Sequence, residues 1–137
     1  MKAAVRYYTR SGNTQKLADA VAAVIGVRAE TTDVPVTEPV DVLFLASSVY
    51  ATGVDEHVKE FISTLDKAMV KRIVNLSTAA LLPSTYSQVQ KLLLEKGIPL
   101  DTREYHCRGQ FAFMHRGKPD AEDLKRAEDF AKGIIKG

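Results

Sequence analysis

Apolar and polar positions along this chain alternate between two rhythms. Ala3–Tyr8 is a β-rich run, and Thr9–Asn13 after it is a polar turn holding a glycine. From Thr14 the period lengthens: Leu17, Val21, Val24 and Ile25 share one helical face, and Gly26 supplies a stop. Val27–Thr32 reads as a short second strand. Val42–Ala46 is continuously apolar, as in a strand covered on both faces of a parallel sheet, and the polar loop Ser47–Gly53 follows it. Val58, Phe61, Ile62 and Leu65 form the next helical stripe, with Asp55 and Glu56 at its start, where the helix dipole favours acids. Ile73–Leu76 predicts a fourth strand, with Ser77–Pro83 as its loop. Ser84 can cap a helix carrying Val89, Leu92 and Leu93, closed by Gly97. Leu100–Cys107 is a more polar strand. Pro119 and Asp120 open a last helix through Leu124, Ala127, Ala131, Ile134 and Ile135, with Asp120 and Asp123 serving its free amides.

Five strands alternating with four helices imply right-handed crossovers and an α/β, doubly wound, five-stranded parallel sheet. The two most apolar strands, third and fourth, belong inside; the second and fifth belong at the edges. That predicts the order 2-1-3-4-5, with a ligand crevice beyond the carboxyl ends of the first and third strands.

Composition narrows the class. The chain has 137 residues, 45% hydrophobic and 26% charged, which excludes a disordered chain and suits one domain over residues 1–137. No apolar run approaches the roughly 20 residues that span a bilayer, so no membrane insertion is expected. Arg6, Arg10 and Lys16 interrupt any secretory pattern, and the lone Cys107 cannot form an internal disulfide. A soluble, cytoplasmic protein is the expectation. The net charge of +2 is modest; residues 69–137 carry 12 of the 19 basic side chains, without the clustering and stacking aromatics that nucleic acid needs.

The hexapeptide Thr9-Arg10-Ser11-Gly12-Asn13-Thr14 joins the first strand to the first helix. Free amides at a helix start, with the dipole behind them, bind anions, and hydroxyls on Thr9, Ser11 and Thr14 add donors. Taken alone the segment serves equally as a polar turn that caps a helix; its place at the first βα turn favours the anion site. Gly12 is the only glycine before Gly26, so the G-x-G-x-x-G and G-x-x-x-x-G-K-[ST] patterns are absent. Asp33 stands where a ribose-binding acid would, but without those glycines it reads as a loop residue. The acidic pair of a receiver domain and the nucleophilic cysteine of a small tyrosine phosphatase are also missing from the first loop.

Tyr8–Thr14 resembles the phosphate loop of the flavodoxin family, [ST]-x-[ST]-G-x-T. Leu43–Gly53 resembles that family's third strand and first flavin-ring loop, and Val74–Thr78 its fourth strand and the start of its second. The last strand lacks the family's long insertion, so the whole chain is similar to a short-chain flavodoxin. The resemblance implies non-covalent FMN, its phosphate on Thr9, Arg10, Ser11, Gly12, Asn13 and Thr14. Ser47, Ser48, Val49, Tyr50, Ala51, Thr52 and Gly53 on one side, and Ser77, Thr78, Ala79 and Ala80 on the other, would flank the ribityl chain and ring. Tyr50 is the stacking candidate, and Gly53 or Thr52 would present a peptide to the ring. Electron carriage between a donor reductase and an acceptor enzyme is the implied function. An FMN-dependent oxidoreductase, such as a quinone or protoporphyrinogen reductase, and a flavin-free binding domain on the same fold are the alternatives.

Three features depart from the family pattern: no tryptophan, no clear second-loop tyrosine where Leu81 and Leu82 stand, and a net charge of +2 where flavodoxins are acidic. Outside the motifs, Cys107 is either a buried inert thiol or one activated by His106 or Arg108. His57 falls on the polar side of its helix beside Glu56 and Glu60. Phe111, Phe113 and Met114 either cover the end of the sheet or lean over the ligand.

Overall fold

The computed structural model describes residues 1–49, 54–79, 84–109 and 117–136. In chain order it contains β1 (Ala3–Tyr7), α1 (Asn13–Ile25), β2 (Ala29–Thr31), β3 (Val42–Val49), α2 (Glu56–Ser63), β4 (Ile73–Ala79), α3 (Tyr86–Leu94), β5 (Tyr105–Arg108) and α4 (Ala121–Lys136). The strands pair in the order β2-β1-β3-β4-β5, every pair parallel. This is the doubly wound sheet and strand order that the apolar pattern predicts.

Successive side chains on a strand point to opposite faces, and the central strands feed two cores in this way. Val42, Phe44 and Ala46 pack with Leu17, Val21, Ala127 and Ile134 of α1 and α4. Leu43 and Leu45 pack with Val58, Phe61, Ile62, Val89 and Leu93 of α2 and α3. Full coverage on both faces explains the unbroken apolar run of β3. Arg6 on β1 is buried yet served: its guanidinium donates to the carbonyls of Val34 (2.8 Å) and Pro35 (3.0 Å), tying the connection after β2 onto the sheet. Burial lowers its pKa, while Glu30 acts in the opposite direction.

Helix ends follow the expected chemistry. Gly26 closes α1 in the left-handed conformation, its amide bonded to the Ala22 carbonyl. Asp55 caps α2 by accepting from the His57 amide. Ser84 accepts from the Tyr86 amide at 3.0 Å at the head of α3. Asp120 and Asp123 accept from each other's amides at 2.9 and 3.1 Å, a reciprocal capping box that opens α4.

Three boundaries differ from the sequence pattern. Ser47–Val49 and Ser77–Ala79, expected in loops, continue β3 and β4, because the register pairs Ser47 with Ser77, Ser48 with Thr78 and Val49 with Ala79. Hydroxyl side chains at strand tips look like turn residues in sequence, but a parallel ladder tolerates them once they are hydrogen-bonded. The expected strand Leu100–Cys107 is interrupted: Leu100 makes an isolated bridge to Ile73, and the chain rejoins the sheet only at Tyr105. Asp101 is the cause. Its carboxylate accepts from the Arg103 amide at 2.9 Å, a local turn that competes with the ladder.

Among the described residues, no helix is long and apolar enough to cross a membrane.

Candidate functional site

The carboxyl ends of β1, β3 and β4 meet the amino end of α1 at one rim of the sheet, where the strand order reverses. Gly12 sits immediately before α1 with φ +92°, a conformation that side chains with a Cβ rarely adopt. Its amide donates to Thr9 Oγ1 at 2.9 Å, which curls Thr9–Gly12 into a tight loop. The capping residue is this glycine, which brings no side chain to the first turn of α1, and no acidic residue lies in that turn. The head of the helix presents amide donors and the positive end of the dipole, and its own first turn brings no acid to them.

The predicted phosphate-loop residues come together here and divide by role. Arg10 and Ser11 are exposed, Thr9, Gly12 and Asn13 are half-buried, and Thr14 is buried. Thr14 Oγ1 lies 3.0 Å from Thr78 Oγ1, so the first helix is bonded to the tip of β4. Gly109, one residue beyond β5, packs against the same place. A Cβ there would stand 3.0 Å from Asn13 Nδ2 and 3.3 Å from Thr78 Cβ. Sequence reading did not single out Gly109; its only signal is a glycine directly after a strand that ends at the crevice.

The hydroxyls of Ser47 and Ser77 turn inward, on the α2/α3 side of the sheet. Ser47 Oγ donates to Thr85 Oγ1 (3.0 Å), which also accepts from Asn75 Nδ2 (3.0 Å). Ser77 Oγ contacts Ser84 Oγ at 3.4 Å, and Ser84 in turn donates to Glu104 Oε1 at 2.6 Å. Ser47, Asn75, Ser77 and Thr85 are each fully buried. Their side chains fix the floor of the crevice, so main-chain groups are what Ser47 and Ser77 can offer a ligand. Ser48, Thr78 and Ala79 are buried at the same strand tips. Val49 ends β3. Tyr50, Ala51, Thr52, Gly53 and Ala80, with Leu81, Leu82, Phe111, Phe113 and Met114, lie outside the described residues.

A charged cluster that sequence reading missed adjoins the loop Thr9–Thr14. Asp55, its side chain 5% exposed, receives Arg10 Nε (3.1 Å) and Nη2 (2.6 Å) on one oxygen. Its other oxygen meets His57 Nδ1 at 2.6 Å and the His57 amide at 2.9 Å. Burial alone would raise the Asp55 pKa, but the hydrogen bonds from His57 and Arg10 outweigh it and hold the group at about 2. His57 stacks on Tyr8, ring centroids 4.2 Å apart and planes 9° from parallel. The Asp55 hydrogen bond, above all, raises the His57 pKa. A cleft of about 300 Å³ beside it is lined by Asp33, Glu60, Phe61 and Thr64 among others.

Cys107 is the inert alternative of the two. It is buried at 8% exposure, and burial, followed by the charge of Asp123, pushes its thiol up to about 12. A thiol so held is protonated at neutral pH and a poor nucleophile. His106 is exposed and faces Glu104 Oε1 at 3.2 Å. Among the described residues no group of three His, Cys, Asp or Glu side chains could hold a metal ion.

Comparison with known proteins bears on the fold and the family. Structurally the chain is similar to a flavodoxin from the domain Archaea, with TM-score 0.81 and 17% identity over 99% of this chain and 97% of that one. It is similar to oxidised Flavodoxin 1 from Bacillus cereus, with TM-score 0.75 and 17% identity over 99% and 98% of the two chains. It also matches part of rubredoxin oxygen:oxidoreductase from Desulfovibrio gigas, with TM-score 0.78 and 11% identity over 98% of this chain and 35% of that one. At such identities the likeness is one of fold. Comparison with curated protein sequences gives no significant match. The profile of the flavodoxin domain, however, matches residues 4–109, from the first strand to the glycine after the last. The chain belongs to the flavodoxin-domain family.

Proposed function

We propose that this protein binds FMN non-covalently at the rim formed by β1, β3, β4 and α1, and carries electrons between a donor reductase and an acceptor enzyme in the cytoplasm. The observation that carries the reading is the acid-free amino end of α1 behind the loop Thr9–Thr14, with Gly12 in the left-handed conformation. A phosphate ester fits that donor set: it supplies the negative charge that the helix head lacks, and it needs no lysine. Thr9, Ser11, Asn13 and Thr14 would hold the phosphate, with main-chain amides of the loop beside them. Arg10 would contribute field and not a direct bond, since Asp55 occupies its guanidinium.

The strand tips Ser47–Val49 and Ser77–Ala79 would then border the ribityl chain and ring, with Tyr50–Gly53 and Ala80 as the proposed ring-loop residues. Bound FMN supplies one- and two-electron transfer. The protein's part is to bind, orient and tune. The hydroxyls of Ser47, Ser77 and Thr85, already bonded to one another or to neighbours, keep the floor in one arrangement, and the low charge of the chain crowds a reduced flavin less than an acidic protein would. Residues 1–137 form one domain in this reading, because all four helices pack on the same sheet.

Reconstitution tests the proposal. Mixing purified protein with FMN is expected to quench flavin fluorescence and yield a yellow complex that survives gel filtration. Stepwise reduction in single-electron stages supports carriage. Rapid NAD(P)H oxidation with a quinone, in the absence of an added reductase, replaces the carrier with an oxidoreductase, and no FMN binding removes both.

A further inference from the structure

Arg10 lies inside the loop proposed to hold phosphate, yet its guanidinium turns away to a carboxylate that it shares. Asp55 binds Arg10 through one oxygen and His57 through the other. The His57 ring lies flat on Tyr8, the residue that leads into the loop. Asp55 is buried, whereas the His57 side chain is 51% exposed and open to proton exchange. With His57 neutral, Asp55 and Arg10 sum to no charge beside the anion site. With His57 protonated, the same cluster carries one positive charge, and Asp55 divides its neutralising power between two cations.

We propose that His57, acting through Asp55 on Arg10, sets how strongly this site prefers a phosphorylated flavin over the unphosphorylated one. The proposal rests on the flavin reading above. His57 and Asp55 are positioning residues in it: neither touches the ligand. The groups that face His57 are Asp55 and Glu60 from α2, Asp33 from the turn after β2, and Arg10 and Tyr8 from the phosphate-loop side. The hydrogen bond to Asp55 comes first among the causes that raise its pKa above the ordinary value, with Asp33 and Glu60 adding to it. A raised pKa places the protonated form below that point and loses it above, so the extra positive charge is present on the acid side. A phosphate dianion is favoured there; a neutral riboflavin is indifferent.

The experiment is a pair of affinities. Dissociation constants for FMN and for riboflavin are measured by fluorescence quenching from about pH 6.5 to about pH 9 at low salt, where a phosphate monoester with second pKa near 6 is mostly dianionic. The preference for FMN is expected to fall on the order of fivefold across the His57 titration, the size of one charge acting on a dianion across about one Debye length of wet surroundings. By linkage, NMR titration should find the His57 pKa higher in the FMN complex than in the riboflavin complex by the same factor. His57→Gln is expected to flatten the pH dependence. Asp55→Asn keeps a capping side chain at α2 while removing the negative charge, and is expected to raise the preference for FMN and its sensitivity to salt. A flat preference in the wild type, or a pH slope that persists in His57→Gln, overturns the proposal. Loss of both flavins in every form overturns the flavin reading itself, and this inference with it.

Discussion

Replacing Thr85 by valine would remove one hydroxyl from a fully buried position and keep the side chain's shape. That hydroxyl is the shared acceptor for Ser47 Oγ and Asn75 Nδ2, both at 3.0 Å, and it faces Asn75 Oδ1 at 3.4 Å. Ser47 and Asn75 are themselves fully buried, so water cannot replace what is lost. Two stranded donors at about 1–3 kcal/mol each, offset by less than ~1 kcal/mol from the added methyl, give a net cost of about 1–6 kcal/mol, with ~3 kcal/mol as the central value. A domain stable by roughly 5–15 kcal/mol would still fold. In urea, with a slope near ~1.5 kcal/mol per molar, the unfolding midpoint should fall by about 2 M. Thr85→Ser keeps the hydroxyl and should cost only about 1 kcal/mol for its methyl. The double variant Asn75→Leu, Thr85→Val should cost less than the sum of its parts, because Ser47 is then the one donor of the two left waiting. A Thr85→Val change smaller than ~0.5 kcal/mol, or a Thr85→Ser change as large as it, would refute the hub.

Gly109→Ala would press a methyl onto Asn13 Nδ2 and Thr78 Cβ, and should weaken FMN binding several-fold in fluorescence titration while leaving the thermal midpoint within a few degrees. Cys107, its thiol pushed up to about 12, should resist a thiol-reactive disulfide reagent at mild alkaline pH and react at once in denaturant; prompt reaction in the folded state would contradict its burial. Asp55 is held at about 2, below the ~3.9 of an unfolded aspartate, so its stabilising effect is complete above the higher value and disappears as pH falls through the lower. Urea midpoints across that acid limb should therefore fall less steeply in Asp55→Asn than in the wild type. Asp123→Ala removes half of the capping box of α4 and should cost about 1 kcal/mol, read by thermal unfolding.

The sheet was legible because burial on both faces writes itself into sequence as an apolar run, as in Val42–Ala46, and because Gly26 marks the end of α1. The turn Thr9–Thr14 was legible as the junction of a strand and a helix because its signal is local: six consecutive residues between β1 and the body of α1. The tips of β3 and β4 were not, since Ser47, Ser48, Ser77 and Thr78 have the composition of turns, and only the neighbouring strand keeps them extended. Thr85 stood outside every pattern, because its partners lie 10 and 38 residues away. The same holds for Asp55, which reads in sequence as an acid placed for the helix dipole and meets Arg10 across 45 positions. His57 was placed correctly on the polar side of its helix. Its stacking on Tyr8 depends on where β1 ends relative to α2, which no periodicity records.

The close packing of Gly109 on Asn13 and Thr78 bears on how such a chain can diverge. Three segments far apart in sequence, at positions 13, 78 and 109, share a volume in which one more carbon is admitted only if a neighbour shifts. A larger residue at 109 is compatible with this geometry only if position 13 becomes smaller or re-aims its amide. Mutational drift at these positions is therefore joint: substitutions at 13 and 109 should be tolerated as pairs and rejected singly. A library randomised at both positions and sorted for retained flavin would expose that pairing.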